Sequence, residues 1–298
     1  MTVGILLGLL TATCWGIGDL CVRAAGRTTS AFTALAASQL IALPALLLVG
    51  WPSGQIRLAG QTWQILTLTA VISLVNLLGG WLLYRAFTHG TISILSPIVS
   101  AFAVVTAALA FLSGERLAIA PLLGIVLAIA GVVVASISRR AKPTMIESGH
   151  GHSTMTGVPE AIGAMLSFGI GYWALKLVVP ALGGLTTVLV GRMVSFVVVG
   201  ALALLLVARS GRLGAGLGGF RQRRLWAFMV PSVLLDLVAN IAYNAGITVA
   251  PTSIVVTISS LFSAVTVVLA WIFLRERLAL WQWAGVVAIL TGIALVSV

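Results

Sequence analysis

Long apolar stretches separated by short polar breaks run through the whole chain, and they predict ten helices. The stretches fall near 3–25, 30–50, 62–87, 91–112, 118–138, 156–179, 184–208, 224–249, 252–274 and 279–298. Most hold about 20 residues or slightly more, enough at 1.5 Å per residue to cross a hydrocarbon core of roughly 30 Å. Their polarity does not alternate, and 32 glycines are scattered through the chain. Helices fit that pattern better than a barrel, whose strands alternate. Two polar breaks are longer than the rest. The stretch from Arg139 to His152, with Pro143, Gly149 and Gly151, reads as a linker. The stretch 209–223 holds Arg209, Arg212, Arg221, Arg223 and several glycines.

The chain repeats itself. AFAVVTAALA at 101–110 answers LFSAVTVVLA at 261–270. Each runs into a Glu-Arg-Leu turn, Glu115-Arg116-Leu117 and Glu276-Arg277-Leu278, and then a last apolar span with a glycine, Gly131 or Gly292. Cys14-Trp15-Gly16-Ile17-Gly18 opens one copy and Ser167-Phe168-Gly169-Ile170-Gly171 the other. The expected division is 1–138, a linker 139–155, and 156–298. Five spans per half is an odd number, so the halves must insert with opposite orientation. The expectation is an all-α integral membrane protein, ten transmembrane helices as two inverted five-helix repeats, the geometry that opens one site to either side in turn.

Composition supports lipid as the solvent. Of the 298 residues 60% are hydrophobic and 8% charged, against about 25% charged in soluble domains. The first span has no basic start and stays apolar for a membrane thickness, so it reads as a retained helix, not a cleaved signal. The net charge of +11 sits in short loops, so nucleic acid is not an expected partner. Basic residues gather after spans 1, 5, 7 and 9, while the other face offers Arg57 and Arg116, which places both termini outside the cytoplasm. Cys14 and Cys21 lie about 10 Å apart along one helix, too far to bridge, and read as packing residues.

Polar residues inside spans cost roughly 2.5–3.5 kcal/mol for a central Asp, Lys or Arg, so each needs a cavity or a partner. The eighth span carries Asp236, Asn240 and Asn244 at i, i+4 and i+8, with Tyr243 at i+7, on one face. They form either a cavity wall that binds a polar or cationic group or a proton, or a rib in which Asp236 pairs with Arg192. The third span shows Asn76, Gly80 and Tyr84, with Asn76 near the level of Asp236 and Tyr84 aligned with Tyr243. Tyr84 is otherwise an interfacial tyrosine. In the first span Asp19 precedes Arg23 by four residues, which favours an ion pair within the helix, and Arg23 aligns with Lys176. Asp19 is a candidate proton carrier or amine ligand. Trp15 aligns with Phe168, one turn before Tyr172, so aromatic rings either contact substrate or pack. Gly16, Gly18, Gly169 and Gly171 allow close approach. Pro97 and Pro231 are expected kinks, and Glu115 and Glu276 suit helix N-termini.

The Trp-Gly-x-Gly-Asp opening, the Tyr-Arg-Ala segment at 84–86, Gly-Glu-Arg-Leu at 114–117 and Arg-Glu-Arg-Leu at 275–278 give the chain a close resemblance to the EamA family of the drug/metabolite transporter superfamily, over both repeats. The resemblance implies a ten-helix inverted-repeat transporter that exports or exchanges small metabolites such as amino acids. The second half departs from the opening, with Tyr172 in place of Asp19.

No zinc or phosphate-loop spacing appears, so neither enzyme chemistry nor a metal or other cofactor is expected. A channel would more usually line its pore with rings from symmetric subunits. The expected function is a secondary transporter in a bacterial-type inner membrane, moving a small amphipathic metabolite, with an amino acid favoured. Its substrate would sit between spans 1, 3, 4, 6, 8 and 9. The expected substrate-binding residues are Trp15, Asp19, Asn76, Tyr84, Tyr172, Asp236, Asn240 and Tyr243. The alternative is a proton-coupled exporter of cationic drugs. Expected partners are a small-molecule substrate, the lipid bilayer and protons, and the chain is expected to act as a monomer.

Overall fold

The computed structural model describes residues 2–26, 29–50, 60–113, 157–210, 218–250, 252–275 and 280–296, with scattered positions at 52–58 and 120–134. Twelve α-helical segments are bounded among them: α1 (Thr2–Gly26), α2 (Ala31–Gly50), α3 (Trp63–His89), α4 (Ile92–Ser100), α5 (Phe102–Leu112), α6 (Val158–Leu175), α7 (Val179–Leu182), α8 (Gly184–Ser210), α9 (Arg223–Val249), α10 (Thr252–Ser260), α11 (Phe262–Leu269) and α12 (Leu280–Val296). Among the described residues eight stretches are long and apolar enough to cross a membrane, with α4–α5 and α10 onward each counted as one; α12 contains a shorter apolar core. The span expected at 118–138 lies mostly outside the described residues, as do the linker and both Glu-Arg-Leu turns.

The repeat is visible in the helix bounds. Trp63–His89 recurs as Arg223–Val249, and Ile92–Ser100 as Thr252–Ser260, every boundary 160 residues on. This spacing corrects one expectation. Tyr84 corresponds to Asn244, and Tyr243 to Leu83, so the two tyrosines are not a repeat pair. Asn76 corresponds directly to Asp236.

Packing crosses between the halves. α1 packs most heavily on α9, and α6 on α3; α1 also rests on α10 and α11, as α6 does on α4 and α5. Glycine sets the closest of these approaches. A Cβ on Gly16 would lie 2.6 Å from Val265 Cβ and 2.9 Å from the Phe262 carbonyl. One on Gly169 would lie 2.4 Å from Val105 Cβ and 3.1 Å from the Phe102 carbonyl. Without a side chain at either position, each helix lies directly against its neighbour's backbone. A threonine sits at each crossing: Thr266 Oγ1 lies 3.3 Å from the Gly16 carbonyl, and Thr106 Oγ1 donates to the Gly169 carbonyl at 3.0 Å.

Helix direction follows from the contacts. Along α1, Gly4 meets Ala250, Thr11 donates to the Ala239 carbonyl and Gly18 faces Ser232, so α1 and α9 are antiparallel. Gly163 meets Leu82 and Gly171 meets Asn76, so α6 and α3 are antiparallel. The ends of α1 and α3 meet where Arg23 Nη1 donates to the carbonyls of Phe87 (2.5 Å) and Thr88 (3.2 Å).

The spans expected as continuous at 91–112 and 252–274 are both broken, at Ala101 and at Leu261. The cause is shared by the two halves. Ser100 Oγ donates to the Pro97 carbonyl at 2.8 Å and Ser260 Oγ to the Thr257 carbonyl at 2.6 Å. The backbone N–H groups of Ala101 and Leu261 then turn to carbonyls three residues back. A hydroxyl that back-bonds to the preceding turn bends a helix in this way. Pro97 has a threonine as its counterpart in a half that breaks at the same point, so the proline is not the cause. Pro231 lies inside α9, which runs on unbroken through it. The second broken span ends in a π-helical turn, Ala270–Leu274, closed by Arg275 at φ 54°.

The outer surface is apolar. Leu6, Leu9, Leu48, Leu204, Val197 and Trp271 are all exposed, an arrangement costly in water and natural in lipid.

Candidate functional site

The helices enclose a cavity of about 200 Å³ near the middle of α1, α3 and α9. Seven of the eight expected site residues line it: Trp15, Asp19, Asn76, Tyr84, Tyr172, Asp236 and Asn240. The eighth, Tyr243, does not. The close packing of α9 on α1 covers it completely, and its ring lies behind the wall, 6.1 Å from that of Trp15 and 5.0 Å from that of Tyr172. Its hydroxyl has no hydrogen-bond partner among the described residues. Asn244, from the same face of α9, lines the cavity in its place.

The strongest electrostatic feature is a cluster on Asp236. Arg192 of α8 makes an ion pair with it. Trp15 Nε1 donates to Oδ1 at 3.2 Å, and Asn240 Nδ2 donates to the same oxygen at 2.9 Å. Tyr172 in turn reaches Asn240 Oδ1 at 3.5 Å. Both readings of Asp236 from the sequence meet here, since it is paired with Arg192 and both side chains face the cavity. The side chains of Arg192 and Asp236 are 19% and 36% exposed, which leaves room for a polar ligand to compete for either. A pair in this setting is held by charge-assisted hydrogen bonds on both sides.

Asp19 lies deeper, 7% exposed. The expected pairing with Arg23 gives way to hydroxyls: Ser96 Oγ donates to Asp19 Oδ2 at 3.1 Å and Thr266 Oγ1 lies 3.2 Å from the same oxygen. Arg23 is tied to the end of α3, and Lys176 lies over the Trp173 ring at 5.4 Å; neither lines the cavity. Arg85 pairs with Glu160 at 3.3 Å near the helix ends.

Aromatic rings form the remaining wall. Trp15 packs edge-on to Phe102, Tyr172 and Phe262 at 6.3, 5.5 and 5.9 Å. Phe102 and Phe262, equivalent in the repeat and each just after a helix break, stack at 6.4 Å. Several wall residues went unlisted in the sequence, among them Ser38 and Gln39 of α2, and Ser73. Gln39, alone as an amide in a 20-residue apolar helix, was the available signal. The site also draws on α2 and α8, which the sequence left out of it.

A family model described as the EamA-like transporter family matches residues 2–137 and again 155–298. The chain belongs to the EamA-like transporter family. It is therefore a multi-pass membrane protein of the transporter type found in the drug/metabolite transporter superfamily. An uncharacterized protein of Methanocaldococcus jannaschii is 30% identical over 139 residues, which make up 46% of this chain and 99% of that one. A solved crystal structure of a protein matches 99% of this chain and 96% of its own at 14% identity, with a TM-score of 0.67, a likeness of fold. As a member of this family the chain has a small-molecule substrate and the bilayer as its partners.

Proposed function

We propose that this EamA-like protein is a secondary transporter that exports or exchanges a small amphipathic metabolite, an amino acid being favoured, by alternating access across an inner membrane. One observation carries the reading. The Arg192–Asp236 pair borders a cavity whose other wall is aromatic. A zwitterion can place its ammonium on Asp236 and its carboxylate on Arg192, exchanging one ion pair for two, while its apolar part meets Trp15 and Tyr172. The volume suits a molecule of that size.

The proposed architecture is ten helices in two inverted repeats, 1–138 and 156–298, joined by 139–155. It is supported by the antiparallel runs of α1 against α9 and α6 against α3, with α1 and α3 meeting end to end. A relative whose whole length corresponds to less than half of this chain also suits duplication. Rocking of the halves about the breaks at Ala101 and Leu261 would turn the cavity from side to side. Duplicated halves within one chain need no partner to close the site, which suits a monomer.

The test is counterflow in proteoliposomes with labelled neutral amino acids. Uptake by the wild type, lost in Asp236→Asn and Arg192→Gln, is the expected result. Wild-type rates in both variants would remove the ion pair from the site.

A second reading, export of cationic drugs against protons, is favoured by Asp19, a carboxylate in the cavity wall bonded to hydroxyls rather than to a cation. Collapse of the pH gradient would abolish such export, but only partly affect exchange of a zwitterion.

A further inference from the structure

The chemistry around Asp19 belongs to one copy of the repeat alone. The threonine crossing is shared: Thr106 bonds the Gly169 carbonyl as Thr266 reaches that of Gly16. At the first crossing the position equivalent to Asp19 is Tyr172, and the position equivalent to Ser96 is the buried Val256. The duplicated scaffold therefore packs without the acid and without the serine. In the copy that has both, they find each other, and Thr266 of the other half joins them on the same oxygen.

Thr266 has one hydroxyl proton and three acceptors in reach: Asp19 Oδ2 at 3.2 Å, the Gly16 carbonyl at 3.3 Å and the Phe262 carbonyl at 3.0 Å. It can donate to one at a time. An ionised carboxylate is the strongest of the three. We propose that Asp19 is the coupling-proton site of this transporter, its ionised carboxylate clasping α4 of the first half to α11 of the second through Ser96 and Thr266, and its protonation releasing that clasp. This rests on the transport reading above.

The step is a simple proton transfer. A hydronium ion in the cavity gives its proton to Asp19 Oδ1, the oxygen outside the clasp, and leaves water. The carboxyl is then neutral, and the Thr266 hydroxyl turns to the Phe262 carbonyl one turn back. α11, which begins just after the break at Leu261, loses its tie to α1 and α4. When the cavity faces the other side, the proton returns to water and the clasp re-forms.

Few titratable or charged groups face Asp19. Among the described residues, Cys14, Cys21 and Arg23 share its helix, Tyr84 comes from α3, and Asp236 from α9 with Arg192 of α8 beyond it. The segments α2, α4, α10 and α11 carry none. Asp236 is paired with Arg192, whereas among the described residues the partners of Asp19 are hydroxyls.

Two measurements on the full-length protein in proteoliposomes test this. The first is infrared difference spectroscopy during a pH titration, with the proton as the probe. Expected is a carboxylic-acid C=O component that grows as the buffer is acidified, is missing from Asp19→Asn and survives in Asp236→Asn. A spectrum unchanged by Asp19→Asn, or a component lost only with Asp236, would overturn the assignment. The second compares Thr266→Val with Thr106→Val, each losing one hydroxyl bond at an equivalent crossing, with labelled leucine as the probe. Both should retain counterflow at equal pH. Only Thr266→Val should lower accumulation driven by a pH gradient, by at least about fivefold. Equal accumulation in the two variants refutes the clasp. If the wild type shows no leucine counterflow, the amino-acid reading fails while the infrared titration still decides on Asp19.

Discussion

The losses from removing the two members of the Arg192–Asp236 pair should not add. Two unit charges about 4 Å apart attract by about 4 kcal/mol at an effective dielectric of 20. The cavity holds part of each side chain open, which screens some of that. Asp236→Asn keeps the shape and loses the charge-assisted bonds from Arg192, Trp15 and Asn240, leaving a cation facing the cavity alone. We expect a loss of about 3 kcal/mol, the lower end of the range for breaking a buried pair. Arg192→Gln leaves the carboxylate with its two neutral donors, so about 2 kcal/mol is expected. The double variant should also lie near 2 kcal/mol, a coupling of about 3 kcal/mol. Equilibrium unfolding in mixed detergent–SDS micelles reads all four proteins. If the single losses simply add in the double variant, the two groups do not sense each other and the electrostatic account of the site is wrong.

Three other outcomes are expected. Gly16→Ala and Gly169→Ala should each destabilise by about 1–3 kcal/mol in the same unfolding assay, because the obstructing atoms include fixed backbone carbonyls; a neutral result would mean the crossings can spread at no cost. Tyr243→Phe removes a fully buried hydroxyl that has no partner among the described residues, so stability should hold or rise by about 1 kcal/mol, with counterflow unchanged. A loss of stability would show that the hydroxyl has a role. Pro97→Ala should leave counterflow intact, since the half with Thr257 at that position breaks in the same way; loss of transport would return the hinge to the proline.

Most of the architecture was legible because its signals are local. Span length, the duplicated AFAVVTAALA and LFSAVTVVLA segments and the polar face of Asp236, Asn240 and Asn244 can all be read along the chain. What failed depended on partners distant in sequence. Spacing placed Arg23 beside Asp19, but α1 ends against α3, and the carbonyls of Phe87 and Thr88 take the guanidinium. Tyr243 shares the helical face of Asp236, but the tightness of the α1–α9 contact covers its ring. The breaks at Ala101 and Leu261 were hidden in apolar sequence. Their determinant, a serine hydroxyl turned back on its own helix, has no signature in hydrophobic pattern.

The repeat itself supplies a way to separate scaffold from chemistry. Features present in both copies explain how the chain packs: the glycine crossings at Gly16 and Gly169, the threonines at 106 and 266, the serine breaks after 100 and 260, the stacked Phe102 and Phe262. None of these is charged. Features present once explain what the cavity can do. Asp236 stands where the other half has Asn76, Asn240 where it has Gly80, Asp19 where it has Tyr172, and Ser96 where it has Val256. Every carboxylate in the cavity wall is therefore a departure from the duplicated pattern, placed on a framework that packs without it. Under the alternating-access reading proposed above, the shared scaffold would supply the motion, and the residues present once would supply the groups that bind substrate and proton.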